Sequence, residues 1–179
     1  MDKETIEKFD LRQFVKSWLL PLAAEIAILL VIFNFVINIT YVPTGSMIPT
    51  ISEHSVLISL REYNTDELQR GEIYSFHSDE LGKTLIKRLI GLPGETVRIE
   101  GNGNIYINDV RLDEPYVKNQ EYGYTGTFEV PEGCYFFLGD NRSGSSDARY
   151  WDNPYIEAED VISRAVFIIF PFSDFGFLE

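Results

Sequence analysis

The chain is poor in the residues that staple or metallate small domains. Cys134 is the only cysteine among 179 residues, so no intrachain disulfide can form and no zinc site can be built from cysteines. Histidine occurs twice, as His54 and His77, without the spacing of a metal-binding pair. Positive charge is scarce: residues 40–179 hold 11 Lys and Arg against 23 Asp and Glu, which accounts for most of the net charge of −13. That balance argues against a nucleic-acid partner, since such affinity comes largely from neutralised phosphates. Internal repeats, low-complexity segments and internal linkers are also missing.

Long apolar runs are limited to one. Trp18 to Ile39, WLLPLAAEIAILLVIFNFVINI, is close to the ~20 residues that cross a hydrocarbon core. Trp18 and Tyr41 stand at its ends, where interfacial aromatics belong. Glu25 lies within it and is costly at the bilayer centre. Lys3, Lys8, Arg12 and Lys16 precede the run, and the next basic residue is Arg61. The positive-inside rule then predicts a cytoplasmic tail over residues 1–17, a transmembrane anchor over 18–39 and an extracytoplasmic domain over 40–179. The mixed-charge tail is compatible with a short amphipathic helix. The run is longer than the apolar region of a cleaved leader and no Ala-x-Ala-like site follows it, so a retained anchor is expected.

From Ile51 onward the pattern is β. SVLISL, GEIYSFHS, TLIKRLIG, ETVRIE, NIYIND and CYFFLG are short runs rich in β-branched and aromatic residues, punctuated by Gly, Pro, Asn and Asp. Residues 101–104 and Asn108-Asp109 read as hairpin turns. One helical turn is expected within Asn64–Arg70, and a short helix or loop within Pro154–Asp160. Val161 to Phe172 is too short to span a membrane; it reads as a core strand or, second, as a surface that touches lipid. The fold class expected is mostly β: a single domain of antiparallel sheets behind one N-terminal transmembrane helix.

Three stretches could carry chemistry. In VPTGSMIPT, Val42 to Thr50, two prolines hold their predecessors out of the helical region. Gly45 allows a close approach, so Ser46 would stand on a stiff, extended segment. In TLIKRLI, Lys87 shares a strand face with Leu85 and Leu89, and Arg88 shares the other with Ile86 and Ile90. Lys87 either snorkels over an apolar face or is desolvated, which lowers its pKa and makes it a base. In GDNRSGSSDARYW, Gly139 to Trp151, hydroxyls and the Asp147–Arg149 pair could support such a base. The same loop could be an Asx- and Ser-rich turn, while Arg142 and Gly144 spoil an EF-type calcium fit. Cys134 reads as a small core residue.

SMIPT at 46–50, KRLIGLPGE at 87–95 and GDNRSGSSDARYW at 139–151, in that order, resemble the bacterial type I signal peptidases, specifically the small single-anchor form. The resemblance extends to the anchor and to GEIYSF and INDVRLDEPYV, and covers nearly the whole chain from residue 18. It implies a serine–lysine dyad on a mostly-β fold: Ser46 as nucleophile and Lys87 as general base. Thr44 and the Ser46 N–H would form the oxyanion hole, Ser145 would orient the lysine, and Asp147 and Arg149 would brace the site. It implies no metal or cofactor, preprotein substrates cut after an A-x-A-like site, shallow apolar pockets for small side chains, and a site at the outer face of the bacterial plasma membrane, in contact with lipid. Met47 would belong to an apolar surround or simply pack. One departure is Glu53-His54-Ser55, where the family usually has a Gly-Asp pair; the shape of that loop is open.

Three competing readings remain at this level. One is a repressor-like Ser–Lys peptidase, disfavoured by the anchor and the acidity. Another is a membrane-tethered non-catalytic β module. The third is a cysteine protease using Cys134 with His54 or His77. Two glycosylation patterns, at Asn38 and Asn141, are treated as chance in a bacterial chain.

Overall fold

The computed structural model describes residues 11–178, in two compact units that divide after Val36. The first is a continuous helix, Leu11–Phe35, long and apolar enough to cross a membrane by length and composition. Its apolar side chains are exposed all round, the pattern of a spanning helix and not of an amphipathic one. A π turn at Val15–Leu19 leads into the α-helical Leu20–Phe35. It lies directly before Pro21, which has no N–H to offer an i→i−4 bond. Of the amphipathic helix expected over 1–17, residues 1–10 lie outside the described residues and 11–17 run into the long helix.

The helix stops at Phe35, and Ile37–Val42 is strand β1. Residues 37–39, which hydropathy assigns to the anchor, therefore belong to the second unit. The Ile-Asn-Ile-Thr run alternates as a strand does, with Asn38, Thr40 and Val42 on the inward face and Ile39 exposed, and hydropathy alone does not distinguish it from the end of a span.

The second unit is antiparallel throughout. The further strands are β2 (Ser55–Arg61), β3 (Ile73–Ser78), β4 (Lys83–Gly91), β5 (Thr96–Ile99), β6 (Ile105–Ile107), β7 (Val110–Arg111), β8 (Gly126–Glu129), β9 (Cys134–Leu138), β10 (Tyr155–Glu157), β11 (Val161–Phe170) and β12 (Gly176–Phe177). The larger sheet runs β1-β2-β11-β3-β4-β9-β10, with β12 on β11; the smaller runs β7-β6-β5-β8. Every strand run expected from composition is present. β7, β8, β10 and β12 are two to four residues long, too short for a periodicity to register. Asn64–Arg70 is a turn without a helix, and Pro154–Asp160 contains β10 and a single 3₁₀ turn. Asn108 and Asp109 form the β6–β7 turn with φ of 49° and 65°, the left-handed pair a tight hairpin demands.

Two apolar clusters hold the unit together. Tyr74, Phe76, Leu89, Val97, Phe136 and Phe137 belong to one, which joins the two sheets. Val42, Met47, Leu57, Ile73, Ile86 and Ile168 belong to the other. β1 and β4, separated in the larger sheet by β2, β11 and β3, nevertheless line one cavity of about 390 Å³, so the sheet curls around its second cluster. Both strands show free backbone edges to this cavity. β1 pairs only with β2, and β9 pairs with β4 only from Arg88 onward, leaving one edge of Lys83–Lys87 open.

Candidate active site

Ser46 is not on an extended segment. It is the middle residue of one 3₁₀ turn, Gly45–Met47, between extended Thr44 and Ile48. The prolines explain this: Pro43 and Pro49 keep Val42 and Ile48 extended, and the three residues between Thr44 and Ile48 are free to turn. Gly45 makes room within its own loop, since a Cβ there would lie 2.8 Å from Ile48 Cδ1. Met47 is fully buried in the second cluster and packs. Early N–H groups of a helical turn have no partner within it, so the Ser46 amide faces out of the turn.

Lys87 comes to this turn from β4. Its Nζ donates to Ser46 Oγ at 2.7 Å and to the Ile86 carbonyl at 3.0 Å. The side chain is 3% exposed. Burial is the main cause that lowers its pKa from 10.5 to about 8; Asp147 and Asp140 act the other way, and Lys83 adds to the lowering. About a tenth of the amine is then neutral at pH 7 and about half at pH 8, and a neutral amine beside a serine hydroxyl can accept the hydroxyl's proton. Thr44 Oγ1 lies 3.5 Å from Ser46 Oγ.

The third stretch wraps this pair. Asn141 donates its backbone N–H to the Ser46 carbonyl at 3.1 Å and its amide to the Gly45 carbonyl at 2.9 Å, which fixes the Ser46 turn in place. Asp147 accepts from Arg149 through both oxygens, at 2.7 and 2.9 Å, and from the Gly139 N–H at 2.9 Å. Arg149 also donates to the Arg142 carbonyl and pairs with Glu121. Ser145 is 6% exposed, and its hydroxyl has no hydrogen-bond partner among the described residues. The bond to Lys87 that the resemblance implies is thus not made here. Ser145 instead crowds Gly139: a Cβ on Gly139 would come within 2.3 Å of Ser145 Oγ and 2.5 Å of the Ser46 carbonyl oxygen.

Four residues at the site carried no role in the sequence reading: Arg88, Gly139, Asp140 and Asn141. Arg88 forks onto Asp140 at 2.9 and 2.6 Å, donates to the Gly71 carbonyl and lies 3.9 Å from the Tyr116 ring centre. Thr50 donates to the same Asp140 carboxylate, which joins the end of VPTGSMIPT to the Gly139–Trp151 loop. The available signal was Arg88 between Ile86 and Ile90 in the strand pattern, since a guanidinium on an apolar face calls for a carboxylate elsewhere. The expected Arg88–Ile86–Ile90 face is broken by a register shift between Leu89 and Gly91, which sends Ile90 into the first cluster while Ile86 stays in the second. In the departing loop, His54 adopts φ 65°, a conformation glycine takes without strain, and its ring stacks on Tyr41 with a 2.7 Å bond to the phenol. Cys134 is half-buried and packs against the rim of the first cluster, and burial raises its thiol pKa, the opposite of an activated nucleophile.

Comparison with known proteins gives a consistent set of relatives. A family model described as "Signal peptidase, peptidase S26" matches residues 15–170. The chain is 35% identical over 161 residues to a signal peptidase I of Leptolyngbya laminosa, covering 85% of this chain and 78% of the relative. It is 29% identical over 184 residues to signal peptidase IB of Staphylococcus aureus strain COL, covering 92% and 94%. A crystal structure of a signal peptidase I from Enterococcus faecalis V583 is 39% identical, with a TM-score of 0.47; it covers 53% of this chain and 93% of its own.

Proposed function

Because the chain belongs to the signal peptidase family, peptidase S26, and is a peptide hydrolase, we propose that it cuts signal peptides from preproteins through Ser46 and Lys87. The observation that carries this reading is the 2.7 Å bond from a buried lysine to a serine hydroxyl. Neutral Lys87 takes the Ser46 proton as Oγ attacks the scissile carbonyl. The Ser46 N–H and the Thr44 hydroxyl stabilise the resulting oxyanion; one such donor is typically worth roughly 3–4 kcal/mol. Collapse breaks the C–N bond, and Lys87 returns its proton to the leaving amine. A water activated by the same lysine then hydrolyses the acyl ester. Ser145 stands ready to orient the lysine, and Asp147 with Arg149 keeps the Gly139–Trp151 loop rigid around it.

The substrate lies extended between β1 and β4, pairing with their free edges. Its small first and third residues before the cut face the apolar half of the groove, beside Val42 and Ile86. The helix Leu11–Phe35 anchors the chain in the bacterial plasma membrane, with the tail cytoplasmic and the β unit outside. Phe170, Phe172, Phe175 and Phe177, all exposed, supply an apolar surface suited to lipid contact. The test is cleavage of a preprotein carrying an Ala-x-Ala site by the purified chain in detergent. Cleavage after the second Ala, reduced to background by Ser46→Ala, is the expected result. Equal cleavage by both proteins, or by neither, removes the nucleophile from Ser46.

A further inference from the structure

The groove between β1 and β4 has two unlike halves. Near Ser46 its inner wall is apolar, with Val42, Leu57, Ile73 and Ile86 in one cluster. Toward the start of β1, the same sheet face turns polar. Asn38 stands opposite Ser59, Ser163 opposite Ser75, and Ser75 opposite Ile86 across successive strands. Ser59, Ser75 and Ser163 are each at most 1% exposed. They fall in two hydrogen-bonded sets: Asn38 Nδ2 donates to Ser163 Oγ at 3.2 Å and Ser163 shares a 2.7 Å bond with Ser75, while Thr40 and Ser59 share a separate one of 3.2 Å. Asn38, Thr40 and Ser75 line the cavity directly.

Burying hydroxyls here costs more than burying Ala or Val would, and none of these groups bonds to Ser46 or Lys87. Capacity is left over: among the described residues no donor reaches Asn38 Oδ1. The shallow apolar pockets expected from the resemblance describe only the half nearest Ser46.

We infer that the far half is a further subsite, one that takes a small hydrogen-bonding side chain of the substrate, of the Ser, Thr or Asn class. This rests on the peptidase reading above. In an extended peptide every second side chain points the same way, about 7 Å apart. The first and third residues before the cut occupy the wall from Thr44 to Val42. The fifth then reaches Thr40 and Asn38, with Ser75 beneath.

The test uses the full-length protein in detergent and an Ala-x-Ala peptide series with Ser, Asn, Ala, Val or Leu at the fifth position, and separately at the third. The readout is the ratio of kcat/KM for Ser over Val within each enzyme, which cancels any loss of folded protein. Wild type should favour Ser at the fifth position by about fivefold or more. In Ser75→Ala/Ser163→Ala the ratio should fall to one or below, and in Thr40→Val it should fall part of the way. A wild-type ratio of one or less, a serine preference found at the third position instead, or a ratio unchanged in the double variant overturns the subsite while leaving the peptidase reading intact. Absence of cleavage of every peptide removes that reading, and the subsite with it.

Discussion

Lys87 and Arg88 are consecutive on β4, and each is 3% exposed, yet the two faces of the strand treat them in opposite ways. Arg88 meets both oxygens of Asp140 and a tyrosine face, so its charge is matched in geometry and number. Lys87 meets a hydroxyl and a carbonyl, neither of which compensates an ammonium, and its pKa drops to about 8. Equal burial therefore does not give equal chemistry; the counter-ion decides. The residue types match the roles, because a guanidinium cannot give up its proton in a protein while an amine can. One face of the strand holds a permanent charge that ties the site loops together, and the other holds an amine that can lose its proton.

The strongest way to break this contrast is to place a permanent charge on both faces. Lys87→Arg should lower kcat/KM by about three orders of magnitude or more, as Lys87→Ala does, because neither variant has a titratable amine. Peptide cleavage in detergent checks this, and an arginine variant within tenfold of wild type would show that proton transfer is not what Lys87 supplies. The complementary experiment strands the other cation. Asp140→Ala leaves Arg88 buried without its carboxylate and should cost about 3–5 kcal/mol of stability; replacing both at once, Arg88→Met with Asp140→Leu, should recover much of that loss. Thermal unfolding of the β unit reads both, and an unchanged midpoint in Asp140→Ala would mean that the pair does not hold the loops.

The pH dependence follows from the same contrast. Activity limited by neutral Lys87 should rise with pH and level off above about 8. Stability moves in the same direction. The unfolded chain keeps this proton up to about 10.5 and the folded chain releases it near 8, so between those values the unfolded state binds more protons and stability increases with pH. Below about 8 the full cost of the buried ammonium is present. Lys87→Met should then raise stability at pH 7 by up to about 3 kcal/mol while abolishing activity, and the gain should shrink toward pH 10.5. A midpoint that falls in this variant at pH 7 would place the lysine among stabilising residues instead.

How far this arrangement could be read in advance differs between its parts. β2, β3, β4, β9 and β11, and the shorter β5 and β6, announced themselves through alternation or through continuous apolar runs, while the six-residue β1 was hidden in the end of the long apolar run. Their pairing order, with β11 between β2 and β3, is a long-range property that local pattern does not carry. Ser46 and Lys87 are 41 residues apart, and only the order of three motifs linked them. Asp140 was invisible as a partner because nothing in GDNRS distinguishes a buried carboxylate from a turn aspartate. Gly139 was invisible for a related reason: its role is the space taken by Ser145 and the Ser46 carbonyl, which exists only after folding. The extent of the membrane run was misjudged at Ile37–Ile39 because hydropathy measures transfer, not pairing. The turn at Ser46 was missed because two prolines constrain their neighbours but leave the residues between them undetermined.

The smallest expected effect separates orienting a base from filling space. Ser145 buries a hydroxyl with no partner among the described residues, and an unsatisfied buried hydroxyl costs about 1–3 kcal/mol. A hydroxyl kept only for packing would be dispensable, so Ser145→Ala would leave stability equal or higher and activity unchanged. A hydroxyl that engages Lys87 once substrate is bound predicts a split instead. Stability should stay level or rise by about 1 kcal/mol, while kcat/KM falls by about tenfold and Ser145→Thr restores part of it. Unfolding midpoints and peptide kinetics on the same preparation distinguish the two. If stability and activity fall together, the hydroxyl holds the loop in the free protein and the lysine has no special claim on it.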